Sequence, residues 1–190
     1  MDLEERVVEA AAVSFQQFGY KGTTMEQVAR IANVGKGTIY TFFPSKEALY
    51  SHILGKLIEE MKQLADATIV PGDPFFTNLE RVLRNLLHFR TEHALFVKLA
   101  QEARQIGTPT VQKGLAQIEG AIVGYIQRQL QQGIEQQNIV SCPTELVAFL
   151  LFRTYTAMVV DWTAHHEPLS DEALMQVFHQ VFAHGLEQST

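Results

Sequence analysis

Cysteine is nearly absent from this 190-residue chain. The single Cys142 can close no internal disulfide and cannot by itself hold a metal, which fits a reducing compartment and reads as a small buried or interfacial thiol. Long apolar runs are missing too. The longest, Leu146 to Phe152, falls far short of the roughly 20 residues that span a bilayer. No basic segment followed by an apolar one opens the chain, so a soluble, unexported protein without a membrane partner is expected. Strand-like alternation is absent over any useful length. No glycine-rich phosphate loop follows a strand, no nucleophile motif is visible, and the carboxylates are scattered over polar helix faces, so no catalytic residue and no cofactor is expected. The seven histidines, His52, His88, His93, His165, His166, His179 and His184, contain no pair four apart, the spacing that puts two ligands on one helix face, so no metal site is expected.

Positive charge is also in short supply. Fifteen Lys and Arg stand against 21 Asp and Glu, a net charge of −6, which excludes a protein that coats nucleic acid with its whole surface. The distribution is uneven. Tyr20 to Lys46 holds Lys21, Arg30, Lys36 and Lys46 against Glu26 alone, whereas the chain from Ser51 onward has ten basic and fifteen acidic residues. A small basic island on an acidic body can present one face to phosphate.

What is present in quantity is helical periodicity. With 46% apolar residues the chain can build a real core, and its stripes recur at helical spacing between turn residues, giving an all-α protein of about nine helices. The first carries Val8, Ala11, Phe15 and Phe18 on one stripe and stops at Gly19, where glycine can take a left-handed conformation. Thr23 with Glu26, or Thr24 with Gln27, forms a capping box that starts the second. Asn33 breaks it; Gly35 caps a short third helix, which Pro44 ends near Phe43. Ser45 caps the fourth, running to about Asp66, and Val70-Pro71-Gly72-Asp73-Pro74 is the clearest breaker in the chain. Helices follow at roughly 74 to 90, 92 to 106, 110 to 136, 143 to 165 and 170 to 187. The stretch from Leu146 to Phe152 leaves its helix no polar face, so that helix must be covered on both sides.

Two short helices joined by a turn of about three residues have the geometry that lays a second helix in a major groove. In the third helix Ile39 and Phe43, four apart, face inward. Lys36, Gly37, Tyr40 and Thr41 fall on the other side. That face is small, polar and basic: Gly37 permits close approach to a sugar-phosphate edge, Thr38 and Thr41 can hydrogen-bond or touch a thymine methyl, and the Tyr40 hydroxyl can reach a phosphate. A helical protein–protein adaptor would explain the amphipathic helices but not this face, and a small helical enzyme has still less in its favour.

Gly19-Tyr20, Thr23-Thr24, Val28-Ala29, Ala32, Val34, Gly37-Thr38-Ile39-Tyr40, Phe43 and Lys46-Glu47-Ala48-Leu49 resemble, in order and spacing, the N-terminal signature of TetR-family transcriptional regulators over about residues 6 to 50. The resemblance implies a cytoplasmic bacterial repressor, with a three-helix helix-turn-helix head over residues 1–48 and a ligand-binding and dimerisation domain over 49–190. It implies Thr24, Lys36, Thr38, Tyr40, Thr41 and Lys46 at double-stranded operator DNA, with Lys46 on a phosphate at the start of the fourth helix, where backbone N–H groups also attract an anion. Asn33 stands where the family's turn commonly has glycine, Gly35 where the cap is often serine, and Phe42 where an aromatic hydroxyl is frequent. Phe42 cannot donate a hydrogen bond.

A homodimer is expected through the helices at 143 to 165 and 170 to 187, whose apolar surface needs a partner. In regulators of this kind a bound ligand shifts the fourth helix and changes the spacing of the two heads. Large apolar side chains at Phe75, Leu83, Phe89, Phe96, Leu99, Tyr125, Phe149, Phe152 and Trp162 are candidates to line a site for a hydrophobic small-molecule effector. Arg153, a charge among apolar neighbours, is costly unless satisfied: by a pair across the dimer, by reaching water as an end group, or by an anionic ligand headgroup. With Arg90, His93 and Arg104 it favours a fatty acid or acyl thioester over a lipophilic cation.

Overall fold

The structure, a computed structural model, describes residues 2–88 and 90–183, with the side chains of 86–93 excepted. Among the described residues there are nine α-helices and no strand. Helix α1, Leu3–Gly22, opens at Asp2, whose carboxylate accepts the Leu3 N–H at 2.6 Å, and Glu4 and Glu5 lie at the positive end of its dipole. At Gly19 the backbone swings to φ 73°, ψ 173°, a region open only to glycine. The sequence reading ended the helix there. The structure bends it and adds a last turn to Gly22.

Of the two possible caps for α2, Met25–Ala32, Thr24 is the one used: its hydroxyl accepts the Gln27 N–H at 3.1 Å. Burial decides the choice. Thr23 is fully buried and gives its proton to the Gly19 carbonyl at 2.8 Å, so the Ser14 hydroxyl, 3.0 Å away, must be the donor in that pair. Asn33 ends α2 in the left-handed region, φ 52°, ψ 51°, and Gly35 precedes α3, Lys36–Phe42. Ser45 accepts the Ala48 N–H at 3.1 Å at the start of α4, Lys46–Thr68. The breaker that follows is clipped by Asn78, whose amide pairs with both the N–H and the carbonyl of Val70 at 2.9 and 3.0 Å. Then come α5, Phe75–His88; α6, Arg90–Gln105; α7, Pro109–Glu135; α8, Thr144–Thr156; and α9, Asp171–Phe178. Helix α8 continues through a π-helical stretch, Ala157–Asp161, and a 3₁₀ turn, Trp162–Ala164, while α9 continues through π-helical His179–Ala183.

The chain forms two compact units: Met1–Glu59 with Thr91–Ile118, and Glu60–Arg90 with Glu119–Thr190. The first has an aromatic centre, in which Phe15, Tyr20 and Tyr50 make three mutual ring contacts with centroids 4.9 to 5.8 Å apart. Such pairs are worth about 0.5–1.5 kcal/mol each beyond their burial. The Tyr50 hydroxyl presses on α7 at Gly114, where a Cβ would stand 2.6 Å from it. In the second unit Leu83, Leu130, Ile139, Leu151, Phe152, Leu174 and Phe178 are buried.

From its sequence, helix α8 is expected to be covered on both sides. Within one chain it is covered on one side only: Ala148, Leu151 and Phe152 are buried, while Leu146, Phe149 and Leu150 are 54, 40 and 45% exposed. By length and composition Thr144–Ala164 could cross a bilayer. Arg153 and Asp161 interrupt it, however, and Leu151, Phe152 and Val160 lie in the second unit's own core.

Two glycines of α7 should respond oppositely to the same change. Gly114→Ala drives a methyl into Tyr50 and Leu54 and should cost about 1–3 kcal/mol. Gly120→Ala meets nothing within 4 Å and should gain about 0.5–1 kcal/mol. Urea unfolding with an unchanged slope would check both.

Candidate nucleic-acid interface

Helix α3 is seven residues long, too short to hold itself together in water. Its inner residues hold it: Ile39 is fully buried and Phe43 nearly so. The outer face is thereby left to other uses, and Lys36, Gly37, Tyr40 and Thr41 are all exposed along it, with Thr38 half-buried at its edge. Around Gly37 there is open space, with no heavy atom within 4 Å of where a Cβ would stand. The Thr41 hydroxyl donates to the Gly37 carbonyl at 3.2 Å, so its proton is engaged while its oxygen can still accept. Lys36 lies 3.8 Å from Glu26, with both side chains more than half exposed. A pair of that kind is worth little and does not tie the lysine down.

Thr24, exposed at the start of α2, spends an oxygen lone pair on Gln27 and still has a proton to give. Lys46 is more committed than its sequence position suggested. Its ammonium donates to the Tyr20 carbonyl at 2.8 Å and to the Thr23 carbonyl at 2.9 Å, and sits 4.3 Å from the centre of the Tyr20 ring. An ammonium has three N–H donors, which leaves one for an outside acceptor. The structure thus brings Thr24 and Lys46 together at the α1–α2 turn, and the remaining five along α3.

Residues outside the expected DNA-contact set hold this surface in place. Arg6, in the first turns of α1, donates to the Ala32 carbonyl at 2.7 Å and to that of Asn33 at 3.3 Å, and so closes the C-terminal end of α2 just before the turn. The Tyr20 hydroxyl donates to Glu47 at 2.7 Å. Burial, then the Glu47 bond, pushes the Tyr20 phenol up to about 12, so it remains a donor at neutral pH. The same bond holds the Glu47 carboxyl below its ordinary value. Partners 26 and 27 positions apart leave no mark in local periodicity; Tyr20 and Glu47 carry part of the family resemblance, but nothing in the sequence pairs them.

The effector candidates divide. Phe96 and Leu99 belong to the first unit, and Phe75, Leu83, Tyr125, Phe149, Phe152, Arg153 and Trp162 to the second. Phe89 and the side chains of Arg90 and His93 lie outside the described residues. Leu83, Leu99 and Phe152 are buried, Phe75, Phe96 and Tyr125 half-buried, and Phe149 and Trp162 exposed. Tyr125 donates to Asp66 at 2.7 Å, and Trp162 donates to the Glu167 carbonyl at 3.0 Å while stacking on His166. Of the settings open to Arg153 from the sequence, the structure fits the one that reaches water. Half of its side chain is exposed, and it pairs with Glu119 of its own chain at 3.5 Å. Among the described residues no three His, Cys, Asp or Glu form a group that could hold a metal.

Two short helices around a left-handed turn, with a polar, basic outer face on the second, define a helix-turn-helix DNA-binding protein. Comparison with known proteins gives the family. The family model for bacterial regulatory proteins, tetR family, matches residues 7–53. The HTH-type transcriptional regulator YhgD of Bacillus subtilis is 43% identical over 186 residues, 98% of this chain and 97% of that protein. Among solved structures, reduced NemR of E. coli superposes with a TM-score of 0.77 at 18% identity, over 96% of both chains. The fatty acid degradation regulator FadR of Bacillus halodurans does so at 0.75 and 18%, over 94% of this chain and 93% of its own. The chain belongs to the TetR family: it is a DNA-binding transcriptional regulator, not an enzyme.

The Tyr20–Glu47 bond gives a pH prediction. A carboxyl whose folded pKa is depressed contributes stability above its unfolded value, and loses it as pH falls through the folded one. Tyr20→Phe should therefore lower stability at pH 7, and its deficit should shrink once pH drops below the ordinary carboxyl value of 4.5. Thermal unfolding of both proteins from pH 7 to 3 measures this; a deficit constant across the range would remove the bond from the account.

Proposed function

We propose that this protein is a cytoplasmic repressor that binds a roughly palindromic double-stranded operator as a homodimer and is released by an apolar or amphipathic small molecule. The observation that carries the DNA half is the outer face of α3: exposed, small, polar and basic, on a helix whose inner side is fixed by Ile39 and Phe43. In this reading the head, residues 1–48, places Lys36, Gly37, Thr38, Tyr40 and Thr41 in the major groove, with Thr24 and the third N–H of Lys46 on phosphates. Residues 49–190 serve dimerisation and the effector.

The uncovered side of α8 supports the dimer. Leu146, Phe149 and Leu150, with Trp162 farther along and Val181 beyond α9, are apolar and exposed in the single chain. Two-fold pairing of α8 and α9 with their mates would cover them in a four-helix bundle. Arg153, exposed beside Phe149 and paired with Glu119, fits the margin of that contact. The effector reading rests on Phe75, Leu83, Tyr125 and Phe152 within the second unit. A fatty acid or acyl thioester suits apolar walls of this kind; the likeness to FadR at 18% identity speaks for the fold alone.

Selection of duplexes from a random library by the full-length protein tests the operator. The enriched sites should contain two half-sites about one helical turn apart. On such a duplex Lys46→Ala should weaken all sequences alike and flatten the salt dependence by about one, whereas Thr41→Ala should change preference at one base pair. An unaltered affinity and salt slope for Lys46→Ala would take that lysine off the backbone.

Leu150→Asp should give a folded monomer that no longer binds the operator, as seen by light scattering and anisotropy. A wild-type protein that is monomeric at micromolar concentration would overturn the dimer. In a thermal-shift and operator-release screen, acyl compounds should stabilise the protein and free the DNA. Stabilisation by cationic dyes alone would reverse the anion assignment.

A further inference from the structure

Glu102 on α6 is a buried carboxylate to which neither the DNA face nor the effector reading gives a task. It is 5% exposed, and an ionised carboxylate at that depth costs several kcal/mol unless donors surround it. Two do. Its Oε1 accepts the backbone N–H of Lys21 at 3.0 Å and the hydroxyl of Thr108 at 2.9 Å. Its Oε2 fills the space that a Cβ on Gly19 would need. Gly19 is thus required twice over, by its φ of 73° and by the carboxylate lying against it. Lys21 is 81 positions away in sequence and three residues before Thr24, the cap of α2.

The turn is held from both sides. On its N–H side stands Glu102; on its carbonyl side the Lys46 ammonium takes Tyr20 and Thr23. Thr23 in turn ties back to Gly19. Whatever fixes this turn fixes where α2 begins, and α3 follows α2 through a tight left-handed turn at Asn33.

We infer that Glu102 is a positioning residue for DNA binding: through the Lys21 N–H and the Gly19 backbone it lets α6 set the placement of α2, and hence of the recognition helix. The inference rests on the reading that α3 meets DNA, and it concerns the placement of that helix, not its chemistry. Acceptor geometry matters here and charge does not, so glutamine should replace Glu102 and alanine should not.

The test uses full-length wild type, Glu102→Gln, Glu102→Ala and Glu102→Asp on a duplex that wild type has enriched, at a temperature where circular dichroism shows each folded. Glu102→Ala should lose on the order of tenfold in affinity, and its Lys21 amide should exchange faster with solvent. Glu102→Gln should stay within about threefold and keep that amide protected. A residue that merely stabilised the fold would move the melting temperature, but neither the affinity of folded protein nor the rescue by glutamine. Wild-type affinity in folded Glu102→Ala, or an equal loss in Glu102→Gln, would overturn the inference. Should Glu102→Ala not fold, Glu102→Asp decides: one methylene shorter, it should bind several-fold more weakly, and wild-type affinity would refute the role. If wild type enriches no duplex, the DNA reading itself falls and this inference with it.

Discussion

The last carbonyls of a helix lack a full set of partners within it, and where α1 ends the carbonyls of Tyr20 and of the capping Thr23 are both taken by a single ammonium from Lys46. The helix has to end here, because α2 must leave at an angle that α1 cannot continue. Gly19 supplies the angle by adopting a backbone conformation closed to other residues. An exposed helix end would let that angle wander. This one is enclosed by Lys46, by the Thr23 and Ser14 hydroxyls, and by Glu102, while Tyr20 packs on Phe15 and Tyr50 beneath it. Remove the ammonium and two buried-edge carbonyls lose charge-assisted bonds worth about 1.5–3 kcal/mol each at most.

Both short helices of the helix-turn-helix hang from that turn. Helices α2 and α3, of eight and seven residues, have no stability of their own; they keep their shape because Val28, Ala29, Ala32, Ile39 and Phe43 are buried where the two helices meet each other and α1. With the fold secured from the inside, the outer face of α3 can be chosen for what it touches, not for helix propensity. That explains a glycine and two threonines in so short a helix, each unfavourable by itself. Arg6 closes the other end of α2, so the tight turn between the two helices is bounded by fixed points.

The second unit follows a different logic. There a helix with too many apolar residues for one face buries half of them in its own chain and leaves Leu146, Phe149 and Leu150 outside. The one charge in its middle, Arg153, lies on the exposed side and finds Glu119. Solvent is available to it, so it carries no burial cost. An apolar strip with a charged margin suits the subunit contact proposed above.

Local chemistry is what a sequence states directly, and here it fixed the helix ends: glycine at the kink, Asn33 in a left-handed turn, Ser45 at a cap, Pro44 after α3. Each acts within four residues, so each can be read from its neighbours. The outward face of α3 was legible for the same reason, since Ile39 and Phe43 four apart define the inner side and leave the rest. Tertiary structure decided whatever depends on residues distant in the chain. It chose Thr24 over Thr23 as a cap because Thr23 is buried against Ser14. It turned Lys46 inward to two carbonyls, turned Arg153 outward, and set Glu102 against a turn 81 positions earlier. No period or propensity reports such pairings, because burial and hydrogen-bond satisfaction are settled only when distant helices have met.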